Sequence, residues 1–156
     1  MFAWHRLEVD APIERVLEVI RAGPAACIPD LIEDASGRLL CSISVNFGGR
    51  LERQAQVGIG ELASGDGWLT LPVSWRAAEA DVLFPVFTGE LQAADLPEGR
   101  TELALVGHYD PPLGPVGELV DRLVLHRVAR QALAGFLRRV SERVMSGTAS
   151  ATPAAS

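Results

Sequence analysis

The sequence predicts an α+β fold in which one antiparallel sheet lays its apolar face on a long C-terminal helix. Three observations predict it. Residues 2–9, and then five further segments between residues 38 and 109, alternate apolar and polar side chains with period two. One apolar stripe at helical spacing runs from Val116 to about Met145. A shorter helical pattern separates the first alternating segment from the rest, so the order is strand, helices, strands, helix. A sheet built in that order buries its apolar face against the last helix.

The first strand runs into Asp10-Ala11-Pro12, which reads as an acidic N-cap with a proline in the first helical turn, where its missing N–H costs nothing. Ile13, Val16, Leu17 and Ile20 then share one face, with Glu14, Arg15, Glu18 and Arg21 opposite, until Gly23-Pro24 stops the helix. A second short helix is expected at Pro29–Asp34. The strands that follow are expected at Arg38–Phe47, Arg50–Leu62, Trp68–Arg76, Leu83–Ala94 and Thr101–Tyr109. Turn signals part them at Gly48-Gly49, Ser64-Gly65-Asp66-Gly67 and Pro97-Glu98-Gly99. Asp110-Pro111-Pro112-Leu113-Gly114-Pro115 blocks strand and helix alike. Beyond it Leu119, Val120, Leu123, Val124 and Val128, then Leu133, Phe136, Leu137, Val140 and Val144, mark the apolar face of the terminal helix. Ser146–Ser156 reads as a disordered tail, which leaves one domain over residues 1–145.

Composition narrows the class. The 156 residues are 48 % hydrophobic and 22 % charged, a globular balance. The longest apolar run, Val82 to Phe87, is far short of the roughly 18 residues that span a bilayer, so no stable membrane insertion is expected. All basic residues are arginine, and the net charge of −6 argues against nucleic acid as a partner. The basic excess sits in the last helix, at Arg122, His126, Arg127, Arg130, Arg138, Arg139 and Arg143, where a solvent face is the simpler reading than a partner surface. Cys27 and Cys41 form no C-x-x-C pair, and Met1-Phe2-Ala3-Trp4-His5-Arg6 carries no apolar leader, so a reduced, cytoplasmic location is expected. His5, His108 and His126 lack metal-ligand spacing. Gly58-Ile59-Gly60-Glu61-Leu62-Ala63 fits a dinucleotide fingerprint formally but opens no helix. No metal and no cofactor are expected.

Two motifs stand in order on the expected elements. Val9-Asp10-Ala11-Pro12-Ile13-Glu14-Arg15-Val16 occupies the first strand-to-helix junction, and Gly107-His108-Tyr109-Asp110-Pro111-Pro112-Leu113-Gly114 leads into the terminal helix. On these motifs the chain resembles, over about residues 1–145, the SRPBCC superfamily. These are the START-related and pollen-allergen-like proteins, with polyketide cyclase/dehydrase and lipid-transport members. The resemblance implies a helix-grip fold: a curved antiparallel sheet wrapped on the C-terminal helix, two short helices after the first strand, and an apolar cavity for a hydrophobic small molecule. It implies no single reaction. Six strands are counted where many relatives have seven, so either one is missing or Leu83–Ala94 is misread.

Alternation assigns the inner face of each strand. The residues expected to line a cavity are His5, Phe47, Val57, Leu71, Trp75, Phe87, Leu105 and Tyr109 from the strands, with Leu123 and Phe136 from the helix. His108 points outward and His5 is the one inward imidazole. Because the resemblance makes the first and last strands neighbours, His5 and Tyr109 are expected close enough to hydrogen-bond each other or a ligand. Three functions follow. The favoured one is a carrier or binder of a lipid, polyketide or isoprenoid-like molecule. The second is a cyclase or aromatase in which His5, Tyr109 or Arg76 handles protons and enolate charge. The third is an interaction protein using the basic helix face. The catalytic residues, the ligand and the oligomeric state are not fixed by the sequence.

Overall fold

Each long alternating segment forms a strand, because a half-buried strand satisfies period-two side chains and a helix does not. In the computed structural model the chain runs β1 (Phe2–Val9), α1 (Ile13–Arg21), α2 (Pro24–Cys27), β2 (Ile32–Glu33) and β3 (Leu39–Asn46). It continues through β4 (Arg50–Ile59), β5 (Ala63–Gly65), β6 (Trp68–Ala77), β7 (Val86–Leu96), β8 (Arg100–Asp110) and α3 (Arg122–Ser150). Residues 1–28, 30–46, 50–79, 85–110 and 122–150 are described. The expected turn at Gly48-Gly49, the start of the Leu83 segment, the proline block from Pro111 and the helix start at Val116 lie outside them, as do residues 151–156.

The sheet is antiparallel throughout, in the order β1-β8-β7-β6-β4-β3-β2, with β5 paired to β6. It has eight strands where six or seven were expected. The six long ones fall on the expected segments; the additions, β2 and β5, are two and three exposed residues with no alternation to betray them. The second short helix starts at Pro24, before the expected Pro29–Asp34. Gly23 adopts φ 113°, a conformation open to glycine, and so lets the chain leave α1 and restart at once with Pro24 in the first turn. Asp34 is a turn residue: its Oδ1 accepts the N–H groups of Ser36 and Arg38 at 2.9 Å, and Arg38 Nε donates to Oδ2 at 2.7 Å. That side chain closes the β2–β3 hairpin and competes with helix. At α1 the cap position is Pro12, with no side-chain cap, where Asp10 was expected.

The core lies between the concave sheet face and α3. Ala3 and Val9, Cys41 and Ile43, Leu69 to Trp75 at every second residue, Phe87 and Leu91, and Leu103, Leu105 and Tyr109 are buried on one face as expected. From α3, Leu133, Leu137, Val140 and Val144 are essentially inaccessible. Each such side chain contributes roughly 1.5–3 kcal/mol by leaving water. The helix touches β1 on one flank and β3 on the other, strands at opposite ends of the sheet, so the sheet curls around it. α3 continues past Met145 to Ser150. Thr101, fully buried, donates its hydroxyl to the Ala11 carbonyl at 2.8 Å and pins β8 to the β1–α1 junction. Among the described residues no helix is long and apolar enough to cross a membrane.

Candidate functional site

Register builds the site. Val57 stands opposite Trp75, Trp75 opposite Phe87 and Phe87 opposite Tyr109, so four inward side chains form one row across β4, β6, β7 and β8. Strands are spaced about 4.8 Å, which puts the Trp75 and Tyr109 backbones roughly 10 Å apart with Phe87 between them. The Trp75 and Phe87 rings stack at 4.4 Å, and Phe136 of α3 closes over Trp75 at 5.2 Å. Such ring pairs add about 0.5–1.5 kcal/mol beyond the area they bury.

Next to this row two glycines face each other, Gly89 on β7 and Gly107 on β8. A Cβ on Gly107 would lie 2.6 Å from the Gly89 Cα and 2.9 Å from the Phe87 ring, and one on Gly89 would meet the Val106 carbonyl and the same ring. The absence of side chains there seats Phe87 against the sheet and lets the backbones approach, a common use of glycine inside strands.

The row is apolar except at two atoms. Trp75 Nε1 and Tyr109 Oη are buried and have no hydrogen-bond partner among the described residues. A buried donor left unmade costs about 1–3 kcal/mol. Burial pushes the Tyr109 phenol up to about 12, so it is neutral and a donor at any ordinary pH. Burial likewise pushes the Cys27 and Cys41 thiols up to about 11, which keeps both protonated and inert.

Of the expected lining residues, Val57, Leu71, Trp75, Phe87, Leu105, Tyr109 and Phe136 are all buried between sheet and helix. Phe47 lies outside the described residues. Leu123 is a correction: it is 75 % exposed, and Leu125 is buried in its place. Leu123 and Val124 are apolar, but Val124 sits about two and a half turns before Leu133 and therefore on the opposite side of the helix. The pairing of His5 with Tyr109 is a second correction. His5 is on the inner face but opposite Leu105, four residues before Tyr109 along β8, which separates the two by about 13 Å. Arg76, opposite Gln56, is on the outer face and exposed. His108 is outward, edge-on to Phe2 at 5.9 Å between centroids. The proton-handling trio of the cyclase reading is thus dispersed. His5 instead joins α3 residues His126, Arg127 and Arg130 at a cleft on the flank of the helix, a grouping that the sequence hides because β1 and α3 lie at opposite ends of the chain. The glycine pair was also missed; its signal is glycine at an inward position in two strands. Among the described residues no three His, Cys, Asp or Glu side chains group as metal ligands.

No family model and no curated protein sequence matches the chain. Solved structures do. A conserved protein from Geobacillus kaustophilus superposes with TM-score 0.64 at 12 % identity, covering 94 % of this chain and 97 % of its own. The Zhui aromatase/cyclase of a Streptomyces species gives 0.55 at 18 % identity, covering 95 % of each. Human StAR-related lipid transfer protein 5 gives 0.51 at 11 % identity, covering 94 % of this chain and 76 % of the human one.

Proposed function

The chain has the helix-grip fold of START-related and polyketide-cyclase proteins, and from that premise we propose that it binds a hydrophobic small molecule between the concave sheet and α3. The ligand is lipid-, polyketide- or isoprenoid-like and carries a hydrogen-bond acceptor such as a carbonyl. The observation that supports this reading is the pair of buried donors, Trp75 Nε1 and Tyr109 Oη, left without acceptors in an otherwise apolar row. An acceptor on a bound molecule removes the desolvation penalty that both atoms carry. The human neighbour is a lipid transfer protein and the Streptomyces neighbour an aromatase/cyclase. Binding is favoured over turnover here because the groups that the cyclase reading needs do not converge: His5 stands opposite Leu105, four residues from Tyr109, and Arg76 is on the outer face.

The test is binding. Protein purified without organic solvent is expected to release a hydrophobic compound on extraction, and delipidated protein to take up a hydrophobic fluorescent probe at one saturable site. Absence of both an extractable compound and saturable uptake overturns the reading.

A further inference from the structure

A second cleft lies apart from the aromatic row, where α3 leans on the edge strand β1. It is an open cleft of about 420 Å³, and its polar lining is His5, His126, Arg127, Arg130 and Gln131, with Leu123 at its lip. Among the described residues no carboxylate lines it. On β1 the nearest acid, Glu8, is turned to the outer face and held by Arg100 at 2.7 Å. Neither Arg127 nor Arg130 has an ion-pair partner among the described residues. Further along the same helix Arg139, by contrast, is held by the Asp30 carboxylate at 2.6 Å and the Ser42 carbonyl. The arrangement is local and runs against the net charge of −6. With a screening length of about 10 Å at 0.1 M salt, the adjacent arginines and not the distant acids set the potential in the cleft.

We propose that this cleft is an oxyanion site, in which Arg127 and Arg130 supply charge and His5 and His126 hydrogen-bond a phosphate or carboxylate group. Guanidinium groups match such anions with paired N–H donors, and charge-assisted bonds of this kind are about twice as strong as neutral ones. Burial and the Arg130 guanidinium hold the His5 pKa below the ordinary value, while its cross-strand neighbour Leu105 brings no charge. The chemistry is that of a free phosphate or of a lipid headgroup. The proposal does not depend on the hydrophobic ligand: it stands on different residues and is read by a different probe.

The experiment is an NMR titration of the three imidazoles with inorganic phosphate at constant ionic strength. Saturable shifts at His5 and His126, with His108 on the outer face unmoved, are expected, together with a rise in the His5 midpoint. A linear drift, or equal movement of His108, overturns the site. The Arg127→Gln/Arg130→Gln variant is expected to bind phosphate at least about tenfold more weakly. An unchanged His108 resonance certifies its fold, and undiminished affinity in that variant also overturns the proposal. Vesicles of phosphatidylcholine doped with phosphatidic acid then separate the sources. Co-sedimentation lost in the variant assigns the anion to a lipid headgroup, whereas protein that binds phosphate but stays in the supernatant takes a soluble one.

Discussion

Trp75 and Tyr109 face the same interior from strands on either side of Phe87, and each buries a polar hydrogen that meets no acceptor among the described residues. Both are groups that the acceptor of the proposed ligand would satisfy. They also make the row measurable.

Tyr109→Phe removes a buried hydroxyl without opening a cavity. The unliganded variant is expected to be as stable as the parent or up to about 1 kcal/mol more so, since an unmade hydrogen bond is what disappears. Affinity for a carbonyl-bearing ligand is expected to fall about tenfold, while a plain hydrocarbon binds unchanged. Urea denaturation and paired binding isotherms check this; marked destabilisation would mean that the hydroxyl has a partner.

Gly107→Ala tests the seat of Phe87. The new methyl meets the Gly89 backbone and the Phe87 ring inside van der Waals distance, and overpacking of that kind costs about 1–3 kcal/mol. A lowered denaturation midpoint with altered Trp75 fluorescence is the expected result.

Trp4 and Trp68 are 51 % and 46 % exposed, whereas Trp75 is 2 % exposed. Iodide is therefore expected to quench two of the three tryptophans and leave a residual blue-shifted emission. Hydrophobic ligand is expected to perturb that residual, and Trp75→Phe to abolish it.

His5 gives a pH signature. Its folded pKa lies below the ordinary 6.5, chiefly through burial and then through Arg130, so the unfolded chain binds the extra proton first. The contribution of neutral His5 is complete above about pH 6.5 and is lost as pH falls from there towards the folded value. His5→Gln is expected to flatten the stability curve in that window. Thermal unfolding from pH 7.5 down to pH 5 reads it.

Helix phase is tested by a pair. Leu123→Ser is expected to change stability by no more than about 0.5 kcal/mol, and Leu125→Ala, two positions on, to cost about 2 kcal/mol or more.

Much of this was legible in the chain. Alternation located six strands and turned the right side chains inward, because a period of two survives any uncertainty about partners. What it does not carry is register: His5 and Tyr109 share a face, yet pairing sets them four residues apart along β8. The helix phase failed only at its start, where apolar Leu123 and Val124 stand on the flank and back of α3 and widen the stripe. β2 and β5 are too short for any periodicity, and the β2–β3 turn is decided by the Asp34 carboxylate. The candidate row was read residue by residue; its two orphaned donors could not be, since satisfaction depends on every neighbour at once.

The pairing of β1 with β8 also governs how the molecule is made. Its partners, from Phe2 with His108 to Val9 with Thr101, are about a hundred residues apart, which places the chain among slowly folding topologies. A ribosome adding about 5–20 residues per second leaves β1 without its neighbour for on the order of 5–20 s. Throughout that interval Ala3, Leu7 and Val9 have no completed sheet to join, and the edge of the sheet that β1 forms waits for the last strand to emerge.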